Sequence, residues 1–545
     1  MNLRIAILVL ALEGVHGRLR ISAANVGGRE GVARMASSDW SNGLDEQARQ
    51  CTSAIQRTDT KNPPSMRLHS PRLCDPDVRQ QSGYLDLPDT DAHVFFWYFG
   101  SRTRLSPDFS NTTTVPLVFW FSGGPGCSSQ IANWQENGPC QWVPSVDYDK
   151  ELDDTKRKQL PHGVQRNPWA WNDVADLVFI DQPVGTGFSY GAIPSSTEAA
   201  ADTAWRAMQA VHTLLNEERM TRGEQTVREV FLFGESYGGR YIPVFTEYLL
   251  HMNDLISGSP DLQARGFATL PLAGVGIGNG LFDYMVQAPT YHKMGCDSTY
   301  SPPLFNPLQC KYLEKVVNPL CIKALDTCYS GTTKTSVDTL RGSNATCVSL
   351  VPEPWRSSQA CAYADRYCNG ALNWTTLANT YDVREGARSP PDDYVDYLRT
   401  SEFAAAVGAN PDIVYTECSD PVFDRFASTS DEVSRSAMAS MEFILDRGVP
   451  LLLYTGDADF ICNWYGTMLV ARALQWHGNV AFRNNAPVAW TYPEEFSGTP
   501  IEGGQLWTAE NLSFLRVYQA GHEVPYYQPQ ASLHMLAQFL SHQKL

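Results

Sequence analysis

The sequence predicts an α/β fold: a central, mostly parallel sheet, helices on both faces, and one disulfide-rich insertion. Three observations carry this prediction. Short apolar runs alternate with stretches of helical periodicity along most of the chain. Several of these runs stop at glycine-rich turns, as strands that feed helices do. Seven cysteines gather between Cys296 and Cys368, where the alternation is lost.

In chain order, Met1 to Gly17 reads as a signal peptide. Arg4 supplies the positive start, Ile5 to Leu12 an apolar run too short to span a bilayer, and Val15-His16-Gly17 the cleavage region. Residues 18–65 are polar and irregular, as in a pro-segment or loose N-terminal arm. The first part of the core is expected over 66–283. Its buried strands are Phe95–Phe99, Val115–Phe121, Leu177–Ile180, Val230–Phe233 and Leu272–Ile277. Ser195-Ser196-Thr197-Glu198 has the form of a capping box. It opens a helix with Trp205, Met208, Val211, Leu214 and Leu215 on one face. Residues 284–385 form the expected cap insertion, where cross-links compensate for a poor core. Residues 386–545 complete the core. One helix carries Met438, Met441, Ile444 and Leu445 and is ended by Gly448. Strands follow at Pro450–Tyr454 and Phe514–Tyr518, then a last helix with Leu533, Leu536, Phe539 and Leu540.

Composition excludes several functions. The 545 residues carry 59 acidic and 42 basic side chains, a net charge of −17, which excludes a nucleic-acid partner held through phosphates. No apolar stretch reaches the ~18 residues of a membrane anchor. Thirteen cysteines, together with sequons at Asn111, Asn344, Asn373 and Asn511, suit an exported glycoprotein. The odd cysteine count leaves at least one thiol free or paired between chains. There is no C-x-x-C and no H-E-x-x-H, so no metal site is expected.

The strongest chemical signal is Gly234-Glu235-Ser236-Tyr237-Gly238, a G-x-S-x-G elbow between an apolar strand and a helical stretch. A serine nucleophile needs a base, and the base an orienting carboxylate, in the order Ser, acid, His. His522 follows a strand on a turn, and Asp457 and Asp459 both follow the strand ending at Tyr454. The run Ser122-Gly123-Gly124-Pro125-Gly126 lacks the Gly-Lys-Ser/Thr of a phosphate loop, but a strand ending there can offer backbone N–H groups to an oxyanion. The run Gly274 to Gly280 lacks dinucleotide-binding spacing and reads as a strand end and turn.

From Ser82-Gly83-Tyr84 to the C-terminus the chain resembles the serine carboxypeptidases of the α/β-hydrolase fold, especially secreted or vacuolar fungal members. The motifs that carry the resemblance include Gly123-Gly124-Pro125-Gly126-Cys127-Ser128-Ser129, Glu136-Asn137-Gly138-Pro139 and Asn167-Pro168-Trp169-Ala170-Trp171-Asn172. They continue through Asp181-Gln182-Pro183-Val184-Gly185-Thr186-Gly187-Phe188-Ser189-Tyr190, Gly234 to Gly239 and Gly278-Asn279-Gly280. Asp459-Phe460-Ile461-Cys462-Asn463-Trp464 and Gly521-His522-Glu523-Val524-Pro525 complete the set.

The resemblance implies Ser236 as nucleophile, His522 as base and then acid, and Asp459 rather than Asp457 as orienter. It implies an oxyanion hole from the N–H groups of Gly124 and Tyr237. It also implies a Cys127–Cys418 disulfide and a free Cys462 beside the site. The family holds a substrate's terminal carboxylate with an Asn and two Glu. Here Glu136 and Glu235 fill the Glu positions, and Ser122 stands where the family has Asn. The resulting expectation is an acid-favoured enzyme that releases C-terminal residues from peptides or proteins through an acyl-enzyme, without metal or organic cofactor. It would work outside the cell or in a vacuole-like compartment. A serine carboxypeptidase-like acyltransferase or esterase, and an inactive binding or protective protein of the same fold, are the alternatives.

Overall fold

The computed structural model describes residues 64–106, 115–142, 163–223, 228–297, 299–300, 303–332, 359–369, 380–384, 386, 390–494 and 497–542. The expected signal peptide and almost all of the arm lie outside them, as do Asn111, Asn344, Asn373, Cys51 and Cys347.

The apolar runs are strands. In chain order they begin with β1 (Ser65–His69), β2 (Gln80–Leu87), β3 (Ala92–Phe99) and β4 (Leu117–Phe121). Next come β5 (Cys140–Trp142), β6 (Val164–Arg166), β7 (Asp176–Ile180), β8 (Tyr190–Gly191) and β9 (Val230–Glu235). The last are β10 (Leu272–Gly278), β11 (Leu451–Gly456), β12 (Val488–Pro493), β13 (Pro500–Ala509) and β14 (Leu512–Val517). The main sheet has the order β1-β2-β3-β7-β4-β9-β10-β11-β14-β13-β12, with β8 on β3, while β5 and β6 pair separately. From β7 to β14 every neighbouring pair is parallel. The flanking pairs are antiparallel. The expected parallel sheet is therefore the centre of a mixed one. Tight turns join β2 to β3 and β13 to β14, and such turns permit only antiparallel pairing.

Alternate residues of the central strands serve two cores. Val118, Trp120, Phe231, Phe233, Leu452 and Tyr454 pack with Met535, Leu536 and Phe539 of the helix Pro529–Leu540. Phe119, Phe121, Leu232, Val275, Ile277, Leu451 and Leu453 face the opposite side. There they meet Trp205, Met208, Val211 and Leu215 of the helix Thr197–Thr221, and Met441, Ile444 and Leu445 of the helix Met438–Asp446. Burial on both faces explains why these strands read as unbroken apolar runs. Each such side chain contributes ~1.5–3 kcal/mol by leaving water.

The capping signal is displaced by one residue. Ser196, not Ser195, caps the helix Thr197–Thr221, accepting from Ala199 N–H. Glu198 is then too early in the helix to close a box and pairs with Arg435 instead.

The expected insertion is mostly helical where described. Cys321–Cys368 and Cys328–Cys361 staple the helix Asn318–Thr332 to the helix Gln359–Cys368. In each helix the two cysteines are two turns apart, hence on one face, and the crossed order makes the pair antiparallel. Cys296–Cys310 closes a shorter loop, and Cys74–Cys140 and Cys127–Cys418 tie the core. Among the described residues Cys462 is a free, buried thiol.

Candidate active site

The candidate residues lie beyond the carboxyl ends of neighbouring strands, where open α/β sheets place their sites. Ser236 follows β9, Asn279 follows β10, Asp457 and Asp459 follow β11, and His522 follows β14. The four strands are adjacent in the order β9-β10-β11-β14.

Ser236 has φ +60°, left-handed backbone that costs a non-glycine residue ~1–3 kcal/mol. Three main-chain bonds hold it there. Its N–H donates to Gly278 O at 3.1 Å, and its carbonyl accepts from Gly239 and Leu281, each at 2.9 Å. The helix Gly238–Gly258 begins at once. The loop after β4 lies directly against this elbow. A Cβ on Gly123 would come 2.4 Å from the Tyr237 nitrogen and 2.8 Å from Ser236 Cβ, so only glycine fits. That contact brings Gly124 and Tyr237, the two expected oxyanion donors, to the same end of the sheet. The loop is fixed by the Cys127–Cys418 disulfide, by Ser128 N–H to Glu417 O at 2.7 Å and by Ser419 N–H to Gly126 O at 2.9 Å.

The two candidate orienting acids separate clearly. Asp459 is fully buried, and its Oδ2 meets His522 Nδ1 at 2.8 Å and accepts from Asn279 Nδ2 at 2.7 Å. Its Oδ1 accepts from Ile461 N–H at 3.0 Å. Asp457 is engaged elsewhere. It pairs with Arg516 at 3.0 Å and accepts from Gln519 N–H at 2.9 Å and from the Tyr300 hydroxyl. Arg516 in turn stacks over Trp464, 4.1 Å from the ring centroid. Cys462 sits beside the pair. One ligand atom each from Asp459, Cys462 and His522 lie within 4.8 Å of one another. Two of the three residues are already joined by the Asp459–His522 hydrogen bond, so these atoms serve the pair, and no metal chemistry is assigned to them.

A cluster of carboxyl groups lies alongside. Glu136 and Glu235 are buried, and their side chains meet. Loss of hydration pushes Glu136 up to about 8, against the lowering effect of the neighbouring Glu235 side chain. Glu235 is pushed well above the ordinary carboxyl range by burial, then by the charges of Glu136 and Glu523. Glu523, which sequence reasoning gave no role, is raised by burial and by Glu136, with His522 opposing. Its only signal was its place next to His522. Asn279 was likewise quoted as a motif residue but not as a partner of Asp459. Ser122 is buried, and its hydroxyl accepts from Trp120 Nε1 at 3.0 Å. Of the four sequons, Asn511 alone is described. Its Nδ2 donates to Leu445 O at 3.0 Å and Val449 O at 2.9 Å, so in the folded chain that amide is occupied.

The sheet, the strand–elbow–helix unit and the strand-end placement of Ser236, Asp459 and His522 define the α/β-hydrolase class. A family model described as serine carboxypeptidase matches residues 71–542. Carboxypeptidase S1 of Penicillium janthinellum is 32% identical over 474 residues, covering 85% of this chain and 96% of that protein. Carboxypeptidase Y homolog A of Pyrenophora tritici-repentis is 33% identical over 477 residues, 85% of this chain and 74% of that protein. The crystal structure of Kex1(delta)p, a prohormone-processing carboxypeptidase from Saccharomyces cerevisiae, shares the fold. It aligns with a TM-score of 0.59 at 21% identity, over 87% of this chain and 94% of that one. The chain belongs to the serine carboxypeptidase family. The activity class is that of a serine-type carboxypeptidase, with peptides as substrates. No helix among the described residues is long and apolar enough to cross a membrane.

Proposed function

We propose that the enzyme releases residues one at a time from peptide C-termini, through an acyl-enzyme on Ser236, and works best at acid pH. The observation that carries this reading is the buried Glu136–Glu235 pair beside the elbow. Two carboxyl groups this close and this dry keep a proton. The protonated group donates a hydrogen bond to the substrate's terminal carboxylate, which places the last peptide bond at Ser236. A neutral ester or an internal peptide bond offers nothing for that pair to hold.

In this reading the Ser236 hydroxyl gives its proton to His522 Nε2 as its oxygen attacks the last peptide carbonyl. Asp459 Oδ2 accepts the Nδ1 proton, which fixes the tautomer and stabilises the imidazolium. The N–H groups of Gly124 and Tyr237 receive the developing oxyanion, each worth ~3 kcal/mol in such a site. His522 returns the proton to the leaving amine, and water repeats the cycle on the ester. The leader-like pattern of Met1 to Gly17, with its apolar run Ile5 to Leu12, and the cysteine usage support an exported or vacuolar enzyme.

Ser122 is the departure that favours a second reading. A hydroxyl offers one donor where an amide offers two. Loosened carboxylate recognition with an intact triad is what an acyltransferase or esterase would show. Mass spectrometry of a ten-residue peptide incubated with the enzyme at about pH 5 distinguishes the two. A ladder shortened residue by residue from the C-terminus is expected. An uncut peptide alongside turnover of simple esters would overturn the carboxypeptidase reading.

A further inference from the structure

The mechanism uses the main chain of Tyr237 and leaves its side chain unexplained. That side chain is 2% exposed, yet it carries a hydroxyl. The hydroxyl donates to Asp431 Oδ2 at 2.7 Å. Asp431 is fully buried and comes from a distant part of the chain, the short helix Asp431–Ser434. Its other partners belong to a third element. Thr197 Oγ1 donates to Oδ2 at 2.6 Å, and Thr197 N–H approaches both oxygens at 3.3 Å. Thr197 is the first residue of the helix Thr197–Thr221, whose amino end favours a negative charge. Arg435 Nε stands 3.5 Å from Oδ1. The Tyr237 ring is clamped edge-on by Tyr241 at 5.2 Å and by Phe426 at 6.2 Å.

A fully buried carboxylate is an expensive way to fill space, because apolar residues of the same volume pack at least as stably. Its distinctive property is directional: a tyrosine hydroxyl bound to a carboxylate makes a short, strong, charge-assisted bond. Position matters at this residue. The Tyr237 nitrogen already lies within contact of Gly123, so small rotations of Tyr237 move a donor relative to the loop that carries the other one.

We propose that Asp431 is a positioning residue of the oxyanion hole: by accepting the Tyr237 hydroxyl it fixes the residue whose N–H meets the developing charge. The inference rests on the reading of Tyr237 N–H as an oxyanion donor, but not on the identity of the substrate. Asp431 thereby couples the elbow to the amino end of the helix Thr197–Thr221.

Tyr237→Phe removes the hydroxyl and keeps the ring. Asp431→Asn keeps the shape and removes the charge. The first readout is the rate of Ser236 labelling by a fluorophosphonate, which needs the hole and no peptide. Loss of a donor outright costs about 10²- to 10³-fold, so a donor that is present but loosened is expected to cost about tenfold. The double variant should lose no more than Tyr237→Phe alone, because Asp431 acts through the Tyr237 hydroxyl, and Asp431→Asn, whose amide oxygen still accepts that hydroxyl without the charge, should lose less than Tyr237→Phe. The second readout is ligand binding. The affinity of a peptide aldehyde, whose hemiacetal oxygen occupies the hole, should fall by the same factor. The affinity of a reduced-amide peptide, which makes no oxyanion, should change less than about twofold. A Tyr237→Phe enzyme that folds and labels at the wild-type rate overturns the proposal. So does an equal loss of affinity for aldehyde and reduced amide, which would mark a general loss of structure. If Asp431→Asn does not fold, Tyr237→Phe decides alone, since its ring packing is intact. A wild-type enzyme that labels but cuts no peptide would instead count against the proposed function.

Discussion

Replacing Glu136 by Gln isolates the proton on which carboxylate recognition depends. Burial holds Glu136 at about 8, so the wild-type side chain is neutral, and able to donate, through the acid and neutral range. Its protonated fraction falls from about nine-tenths at pH 7 to about one-tenth at pH 9, roughly a tenfold loss, with a further tenfold for each unit beyond. Glutamine cannot ionise and donates at every pH. The assay is kcat/KM for an N-blocked dipeptide with a free carboxylate, divided by kcat/KM for an N-blocked amino-acid ester, between pH 5 and 9. The ratio divides out the titration of the triad, which both substrates share. Wild type should hold a level ratio to about pH 7 and lose about tenfold by pH 9. The Glu136→Gln enzyme should show a ratio that varies less than about twofold across the range. A wild-type ratio that stays level to pH 9, or a variant that keeps the wild-type slope, would refute the shared-proton argument.

Other predictions address the neighbouring groups. Asp459→Asn should lower kcat by about 10⁴-fold, as loss of the correct histidine tautomer does. Asp457→Asn should leave kcat within a few-fold and lower the melting temperature, because Arg516 loses its buried partner. The reverse pattern in a thermal-shift and steady-state comparison would exchange the two roles. Ser122→Asn should lower KM for a free-carboxylate peptide by several-fold and leave ester turnover unchanged, while an unchanged KM would remove Ser122 from the carboxylate site. The melting temperature of the wild type should fall between pH 5 and pH 8. Glu136 at about 8, Glu432 at about 7 and Asp181 at about 6 are all raised by burial, so the folded chain keeps protons that the unfolded chain releases. Their stabilisation is complete below the unfolded carboxyl range and is lost as pH rises through these values, by about 1.4 kcal/mol per pH unit per proton. His212, held near 4 by burial, opposes this only below the ordinary imidazole range. Differential scanning calorimetry across the two pH values checks the sign, and Glu136→Gln should flatten the slope.

The parts of the fold legible in the sequence are those where one local signal suffices. β4, β7, β9 and β11 are buried on both faces and so appear as unbroken apolar runs. β13 was not visible. Its Pro-Ile-Glu-Gly-Gly-Gln start has little apolar character, and the strand exists because β14 and β12 flank it. Gly448, at φ +76°, ends its helix where expected. The cap falls on Ser196 rather than Ser195, and Glu198 pairs with Arg435, a partner 237 residues away that no local signal announces. The site divides in the same way. Ser236 and His522 stand in local motifs, and their order along the chain follows from the elbow. Spacing alone left Asp457 and Asp459 equivalent, because what separates them is tertiary: Arg516 and Tyr300 for one, His522 and Asn279 for the other. Asp431 carries no local signal at all. Its significance comes from Tyr237 and Thr197, each about two hundred residues distant.

The central claim is recognition of a free C-terminus by a serine nucleophile. The most direct test is hydrolysis of an N-blocked dipeptide beside its C-terminal amide at about pH 5, with Ser236→Ala as blank. Rapid release of the C-terminal residue from the free acid is expected, with slow cleavage of the amide, and neither with Ser236→Ala. Equal cleavage of acid and amide, or Ser236 that labels with a fluorophosphonate while both peptides stay intact, would contradict it.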